Sequence, residues 1–173
     1  IIINSSRGEV ADGNALKRAL QQKKIAGVAL DVWEHEPDID EDLLAMCFQA
    51  TPHIAGYSAD GKANGTSMIV QELSRHFGLM LDDWTAENIP EPEDPLIKID
   101  CAGKDDEDIL RRAVLHTYDA KEDDEHLRSN PQNFEWLRGN YPHRREFSAY
   151  TVKFQNGNEE IIKRCQKLGF KTK

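Results

Sequence analysis

Three short segments of this chain hold the residue types that proton and anion chemistry needs. They are Asn4-Ser5-Ser6-Arg7-Gly8, Asp31-Val32-Trp33-Glu34-His35-Glu36-Pro37 and Thr51-Pro52-His53-Ile54-Ala55-Gly56-Tyr57. An arginine can grip a carboxylate through two parallel hydrogen bonds. A histidine titrates near neutrality and can take or give a proton. A glutamate beside it orients the ring and favours its charged form. Arg7, His53 and a carboxylate from Glu34 or Glu36 would together make an acid–base site. Taken singly, each residue also fits a plainer role as solvated arginine, loop charge or structural hydrogen-bonder. A metal held by His35, Glu36 and His53 matches no common ligand spacing, and no metal is expected.

The elements around these segments explain how they could meet. Residues 1–3, 25–32 and 48–51 read as strands, the second of them nearly continuously apolar, as strands of a parallel sheet covered on both faces are. Between them lie a helix with Leu16, Ala19 and Leu20 on one face, for which Asn14 is the expected cap, and a short helix at 41–45. Alternating strand and helix predicts an α/β sheet. In such sheets ligands bind beyond the carboxyl ends of the strands, which is where all three segments fall.

After Tyr57 the pattern changes. Residues 62–81 read as one long helix with Met68, Ile69, Leu73, Phe77 and Met80 on its apolar side. Pro90, Pro92 and Pro95 in an acidic run read as a linker. A second α/β pattern follows: strands at 96–101 and 147–154, helices at 107–118, 134–141 and 159–168. Two strands make a thin sheet, so this part is expected to associate with a partner. The expected division is 1–57, 58–94 and 95–173.

In order, INSSRGEVAD, IAGVALDVWEHEP and TPHIAG resemble the arginine, glutamate and histidine loops of the D-isomer-specific 2-hydroxyacid dehydrogenase family. The resemblance implies the C-terminal part of a Rossmann-like NAD-binding domain followed by a small α/β (α+β) dimerisation domain. It implies that Arg7, Glu36 and His53 are catalytic, with Arg7 binding the substrate carboxylate and Glu36 partnering His53. It implies that Ser5, Ser6, Arg7, Asp31 and Gly56 line the NAD site and that Tyr57 touches substrate. DPLIKIDCAGKDDEDILRR, FEWLRGNYPHRREFSAYTV and CQKLGF are similar to the branch of the family with an extra dimerisation domain. That branch implies a homodimer that oxidises a small phosphorylated hydroxy acid in pyridoxal phosphate synthesis. No GxGxxG occurs among the eleven glycines, and the chain opens on Ile1-Ile2-Ile3 as if inside a strand. The sequence therefore reads as a fragment, inactive alone, whose cofactor fingerprint lies upstream.

Charge narrows the partners. With 22 Lys+Arg against 31 Asp+Glu the net charge is −9, a poor footprint for nucleic acid or an anionic membrane. No apolar run reaches the ~20 residues of a membrane span. Cys47, Cys101 and Cys165 form no CxxC pair and read as reduced thiols of a cytoplasmic protein.

Overall fold

A computed structural model describes all residues, 1–173. Its strands are β1 (Ile2–Asn4), β2 (Val28–Leu30), β3 (Gln49–Ala50), β4 (Leu96–Asp100), β5 (Thr151–Gln155) and β6 (Lys171–Thr172). Its helices are α1 (Gly13–Gln21), α2 (Glu41–Met46), α3 (Ala59–Phe77), α4 (Asp106–Thr117), α5 (Ala120–Ser129), α6 (Phe134–Gly139) and α7 (Glu159–Lys167). They form two compact units, Ile1–Gly56 with Asp119–Pro142, and Tyr57–Tyr118 with His143–Lys173.

The first unit is the expected parallel sheet, in order β1-β2-β3, with Ile3 opposite Ala29 and Ala29 opposite Gln49. Helices α1 and α2 make the crossovers that parallel pairing requires. Asp12 caps α1 by accepting from the Ala15 amide at 2.8 Å, two residues earlier than the expected Asn14. Asp40 caps α2 through the Leu43 amide at 3.0 Å. The core holds Leu16, Val28, Leu30, Trp33, Leu43, Leu44 and Ala50.

Two more core residues, Leu127 and Phe134, come from α5 and α6. The sequence division assigned these residues to a domain 95–173, and α5 was not expected at all. Their place follows from unmet backbone groups. The edge strand β3 and the end of α2 expose orphan N–H and C=O groups. Asp124 accepts the Ala50 amide at 2.6 Å, and Gln49 Nε2 donates to the Ala120 carbonyl at 2.7 Å. The Arg128 guanidinium donates to the carbonyls of Leu44 at 2.7 Å and Cys47 at 2.9 Å. These partners lie 71 to 84 residues apart in sequence.

The second unit is also a parallel sheet, in order β4-β5-β6, with Ile97 opposite Val152 and Ile99 opposite Phe154. It has three strands where two were expected. The added β6 is held by Lys171 N–H to the Tyr150 carbonyl and Lys173 N–H to the Val152 carbonyl, both at 3.0 Å. Phe147–Ala149 form a 3₁₀ turn, so β5 starts at Thr151. Helices α4 and α7 contribute Ile109, Ala113, Ile161 and Cys165 to the core.

Helix α3 starts at Ser58, whose hydroxyl accepts the Gly61 amide at 2.9 Å, and stops at Gly78 in the left-handed region, as helices commonly do. Its apolar side, Met68, Ile69, Leu73 and Phe77 with Met80 just beyond the helix, is exposed. The buried positions are Ser67 and Ser74. The Ser67 hydroxyl accepts the Ala86 amide at 2.9 Å, and Ser74 accepts the Leu81 amide at 2.7 Å, so the following segment lies along the serine side.

Candidate active site

Parallel pairing sets the carboxyl ends of β1, β2 and β3 side by side at one edge of the first sheet. The loops after them are the three segments picked out from the sequence.

The loop after β1 is shaped by Asn4, which is buried. Its Oδ1 accepts from the Ser6 amide at 3.1 Å and the Ser6 hydroxyl at 2.9 Å, while Nδ2 donates to the Arg7 carbonyl at 2.9 Å. The loop then presses on the next one at Gly8, where a Cβ would fall 2.0 Å from the Trp33 carbonyl oxygen. Only glycine permits that approach. Ser5 and Arg7 stay exposed. The Arg7 guanidinium, donating only to the Ser6 carbonyl at 2.6 Å, keeps most of its fork available to an anion.

The loop after β2 settles which glutamate meets the histidine. Glu36 Oε1 accepts the Trp33 amide at 2.9 Å, and Oε2 lies 2.7 Å from His53 Nδ1. Glu34 instead accepts the Gly13 amide at 2.6 Å, at the first turn of α1 where the helix dipole favours a negative charge. A carboxylate can only accept, so Nδ1 carries the hydrogen and Nε2 is left for a reacting group. Arg138 on α6 brings a cation to 4.0 Å from Glu36 Oε2.

The loop after β3 is wrapped around Asp31, which is 7% exposed. Asp31 Oδ1 accepts the Thr51 hydroxyl at 2.6 Å and the amides of Ile54 and Ala55 at 2.8 and 3.0 Å. The Asp31 carbonyl accepts the His53 amide at 2.7 Å. These bonds hold His53 at φ +56, in the left-handed region. Non-glycine residues adopt it at a cost, and they cluster at functional sites that over-determine them. No hydrogen bond engages Asp31 Oδ2, which leaves it as an acceptor at this edge.

Of the residues expected at the site, Ser5, Ser6, Arg7, Asp31, Glu36, His53 and Gly56 all lie on these three loops. The structure pairs Glu36 directly with His53 and ties Asp31 to the His53 backbone. Tyr57 opens the second unit, its ring 4.3 Å from the Lys62 ammonium. Sequence reasoning passed over Asn4, Trp33, Thr51 and Arg138. The first three sit inside the quoted segments, but their contribution is hydrogen-bonding geometry, which residue type does not announce. Arg138 comes from α6, 102 residues after Glu36, and no local pattern links the two.

The first unit is thus a parallel α/β sheet with a His–Glu pair and an arginine loop at its carboxyl edge. Residues 1–55 match the family model described as "D-isomer specific 2-hydroxyacid dehydrogenase, NAD binding domain", and residues 91–169 match "Domain of unknown function (DUF3410)". Over residues 1–55 the chain is therefore similar to the D-isomer specific 2-hydroxyacid dehydrogenase family.

The chain is 43% identical, over its whole length and 47% of the relative, to the erythronate-4-phosphate dehydrogenase of Marinobacter nauticus. The protein of that name from Bacteroides thetaiotaomicron is 46% identical over 88% of the chain and 41% of its own length. The one from Yersinia pestis is 39% identical over 99% and 46%. The chain spans about half the length of the curated relatives it matches. No helix is long and apolar enough to cross a membrane.

Proposed function

We propose that this chain supplies the acid–base and carboxylate-binding groups of an NAD-dependent dehydrogenase acting on erythronate 4-phosphate, which it oxidises at C2 to the 2-oxo acid. The observation that carries this reading is the Glu36–His53 pair, with Nδ1 committed to the carboxylate and Nε2 available. Names of relatives similar along 88% or more of the chain support the substrate.

NAD fits the residues at the sheet edge. The unengaged Oδ2 of Asp31 is an acceptor for the carboxamide N–H of a nicotinamide, and a Cβ at Gly56 would meet nothing within 4 Å, so the backbone there is open to a ring. When bound, NAD supplies a ring that accepts hydride from C2. His53 Nε2 takes the proton of the C2 hydroxyl as the C2–H electrons depart and the C=O bond forms. Arg7 holds the substrate carboxylate and draws on the emerging carbonyl oxygen. Glu36 offsets the positive charge that develops on the ring. Ser5 and Ser6 shape the rim of the cofactor site, and Tyr57 contacts substrate.

Residues from about 95 onward, apart from the α5–α6 segment, form a dimerisation domain of a cytoplasmic homodimer. Leu96, Leu115 and Leu168, exposed in the second unit, support this. The test of function is NADH formation by the full-length gene product with erythronate 4-phosphate, phosphoglycerate and unphosphorylated erythronate. Preference for the first supports the reading. Preference for another acid assigns a different member of the family.

A further inference from the structure

We infer that Trp33 is a positioning residue that clasps the three active-site loops together, acting through its indole N–H as well as its backbone. The inference rests on the acid–base reading of Glu36 and His53.

Each polar group of Trp33 engages a different loop. Its amide donates to Glu36 Oε1 at 2.9 Å, fixing the carboxylate whose other oxygen meets His53. Its indole Nε1–H donates to the Thr51 carbonyl at 3.0 Å, two residues before His53. Its carbonyl is the surface on which Gly8 closes. The side chain is only 3% exposed and belongs to the core beneath the sheet edge.

The indole bond matters because of what it joins. Glu36 and His53 stand on loops after different strands, and β3 contributes only Gln49 and Ala50 to the ladder. Thr51 lies just past the last paired residue. The Trp33–Thr51 bond and the bonds to Asp31 carry the sheet's register into the histidine loop. A phenylalanine would fill most of the same space but donate nothing, and would leave a buried carbonyl without its partner. The His53 ring would then drift from Glu36, and small misplacements of reacting groups are costly.

The experiment compares Trp33→Phe with the parent protein, using Glu36→Gln and His53→Ala as controls. In the 173-residue chain labelled with ¹⁵N-histidine, the parent should show a His53 Nδ1–H signal protected from solvent exchange. Trp33→Phe should lose that protection, whereas Glu36→Gln, whose amide oxygen can still accept from Nδ1–H, should keep it, and the amide signals of β4 and β5 stay in place in both. In the full-length gene product kcat should fall about tenfold with KM nearly unchanged, less than the roughly 10²-fold or more for losing the proton carrier. Unaltered Nδ1–H protection and kcat in Trp33→Phe would overturn the inference. If His53→Ala kept full activity, the acid–base reading itself would fall instead. Should Trp33→Phe not fold, the parent protein still decides: scalar coupling across the hydrogen bond from Trp33 Nε1 to the Thr51 carbonyl is expected, and its absence would refute the clasp.

Discussion

Arg145 grips Asp60 with two hydrogen bonds, Nε to Oδ2 at 2.9 Å and Nη2 to Oδ1 at 3.1 Å, and the Glu146 amide adds a third to Oδ2 at 2.7 Å. The guanidinium also donates to the Pro90 carbonyl. This cluster ties the first turn of α3, the proline-rich segment and the stretch before β5 into one unit. It also bears on the basic run His143-Arg144-Arg145. Arg145 is committed to a carboxylate, and Arg144 lies 4.3 Å from the Tyr118 ring centroid.

The Asp60 pair should make the second unit acid-sensitive. Burial pushes the Asp60 carboxyl up, but the Arg145 hydrogen bonds and the Glu146 amide outweigh it and hold the carboxyl below its ordinary value. A depressed folded-state value means stability that is fully present above the unfolded-state value of about 3.9 and is lost as pH falls through the folded-state one. Asp60→Asn should cost about 2–3 kcal/mol at pH 7, because it leaves Arg145 buried without its counter-charge. Urea unfolding at a series of pH values should show the gap between parent and variant closing below about pH 4. A gap that stays constant with pH would show that the pair is not the cause.

For the active site, Glu36→Gln keeps the shape of the side chain but removes its charge. The amide can still meet Nδ1, yet no longer offsets the imidazolium formed as His53 takes a proton. Turnover should drop, and His53→Ala should drop it further, by about 10²- to 10⁴-fold. Glu34→Gln should leave turnover nearly intact, because Glu34 meets the Gly13 amide at the start of α1 and not His53. Steady-state kinetics of the three variants in the full-length gene product check the order; an effect of Glu34→Gln larger than that of Glu36→Gln would reverse the assignment.

Arg7 should show itself in a different kinetic parameter. Its exposed fork can bind a carboxylate in two places, whereas lysine offers a single ammonium. Arg7→Lys should therefore raise KM for the hydroxy acid and lower kcat, while binding of NAD changes little. Equal losses for acid and cofactor would point to a distorted loop rather than a lost substrate contact.

The first sheet was legible because its pattern is local. The run at 25–32 and the alternation of strand and helix specify parallel order, and parallel order brings the ends of β1, β2 and β3 together. Residue type in the loops after those strands picked out Arg7, His53 and a carboxylate from Glu34 or Glu36, and only the family resemblance pointed to Glu36. What stayed hidden depends on distant partners. Helix α5, with its charged sequence AKEDDEHLRS, has little apolar periodicity, and Asp124 and Arg128 are explained only by the backbone groups of β3 and α2 that they satisfy. The two-residue β6 is too short to carry a period. The apolar side of α3 was recognised correctly as apolar, yet the segment after it follows the serine side, where backbone amides find hydroxyl acceptors.

The strap from α5 gives a stability prediction. Arg128 Nε and Nη2 donate to the two Asp124 oxygens at 2.7 and 2.9 Å, while the same guanidinium satisfies the Leu44 and Cys47 carbonyls. Arg128→Met keeps much of the packing but strands a carboxylate and two carbonyls. It should destabilise the first unit by about 2–4 kcal/mol. Hydrogen exchange should report the loss at Ala50 and at the end of α2, leaving β4 and β5 unaffected. Uniform loss across both sheets would contradict a local strap.

The same corner of the first unit holds Cys47, whose thiol burial pushes up to about 11, the neighbouring Asp124 adding to the effect and Arg128 opposing it. The thiolate is the reactive form, so at pH 8 only roughly one thiol in a thousand is available even before access is considered. In the folded protein Cys47 should resist alkylation by iodoacetamide and react only on the timescale on which α2 and α5 open. Arg128→Met should speed that opening, and so speed labelling of Cys47, without changing that of Cys101 or Cys165 in the other unit. Mass spectrometry of labelled peptides over time gives all three rates in one experiment. Labelling of Cys47 as fast as an exposed cysteine in the parent protein would mean that the corner is open, and the proposed role of Arg128 would then be wrong.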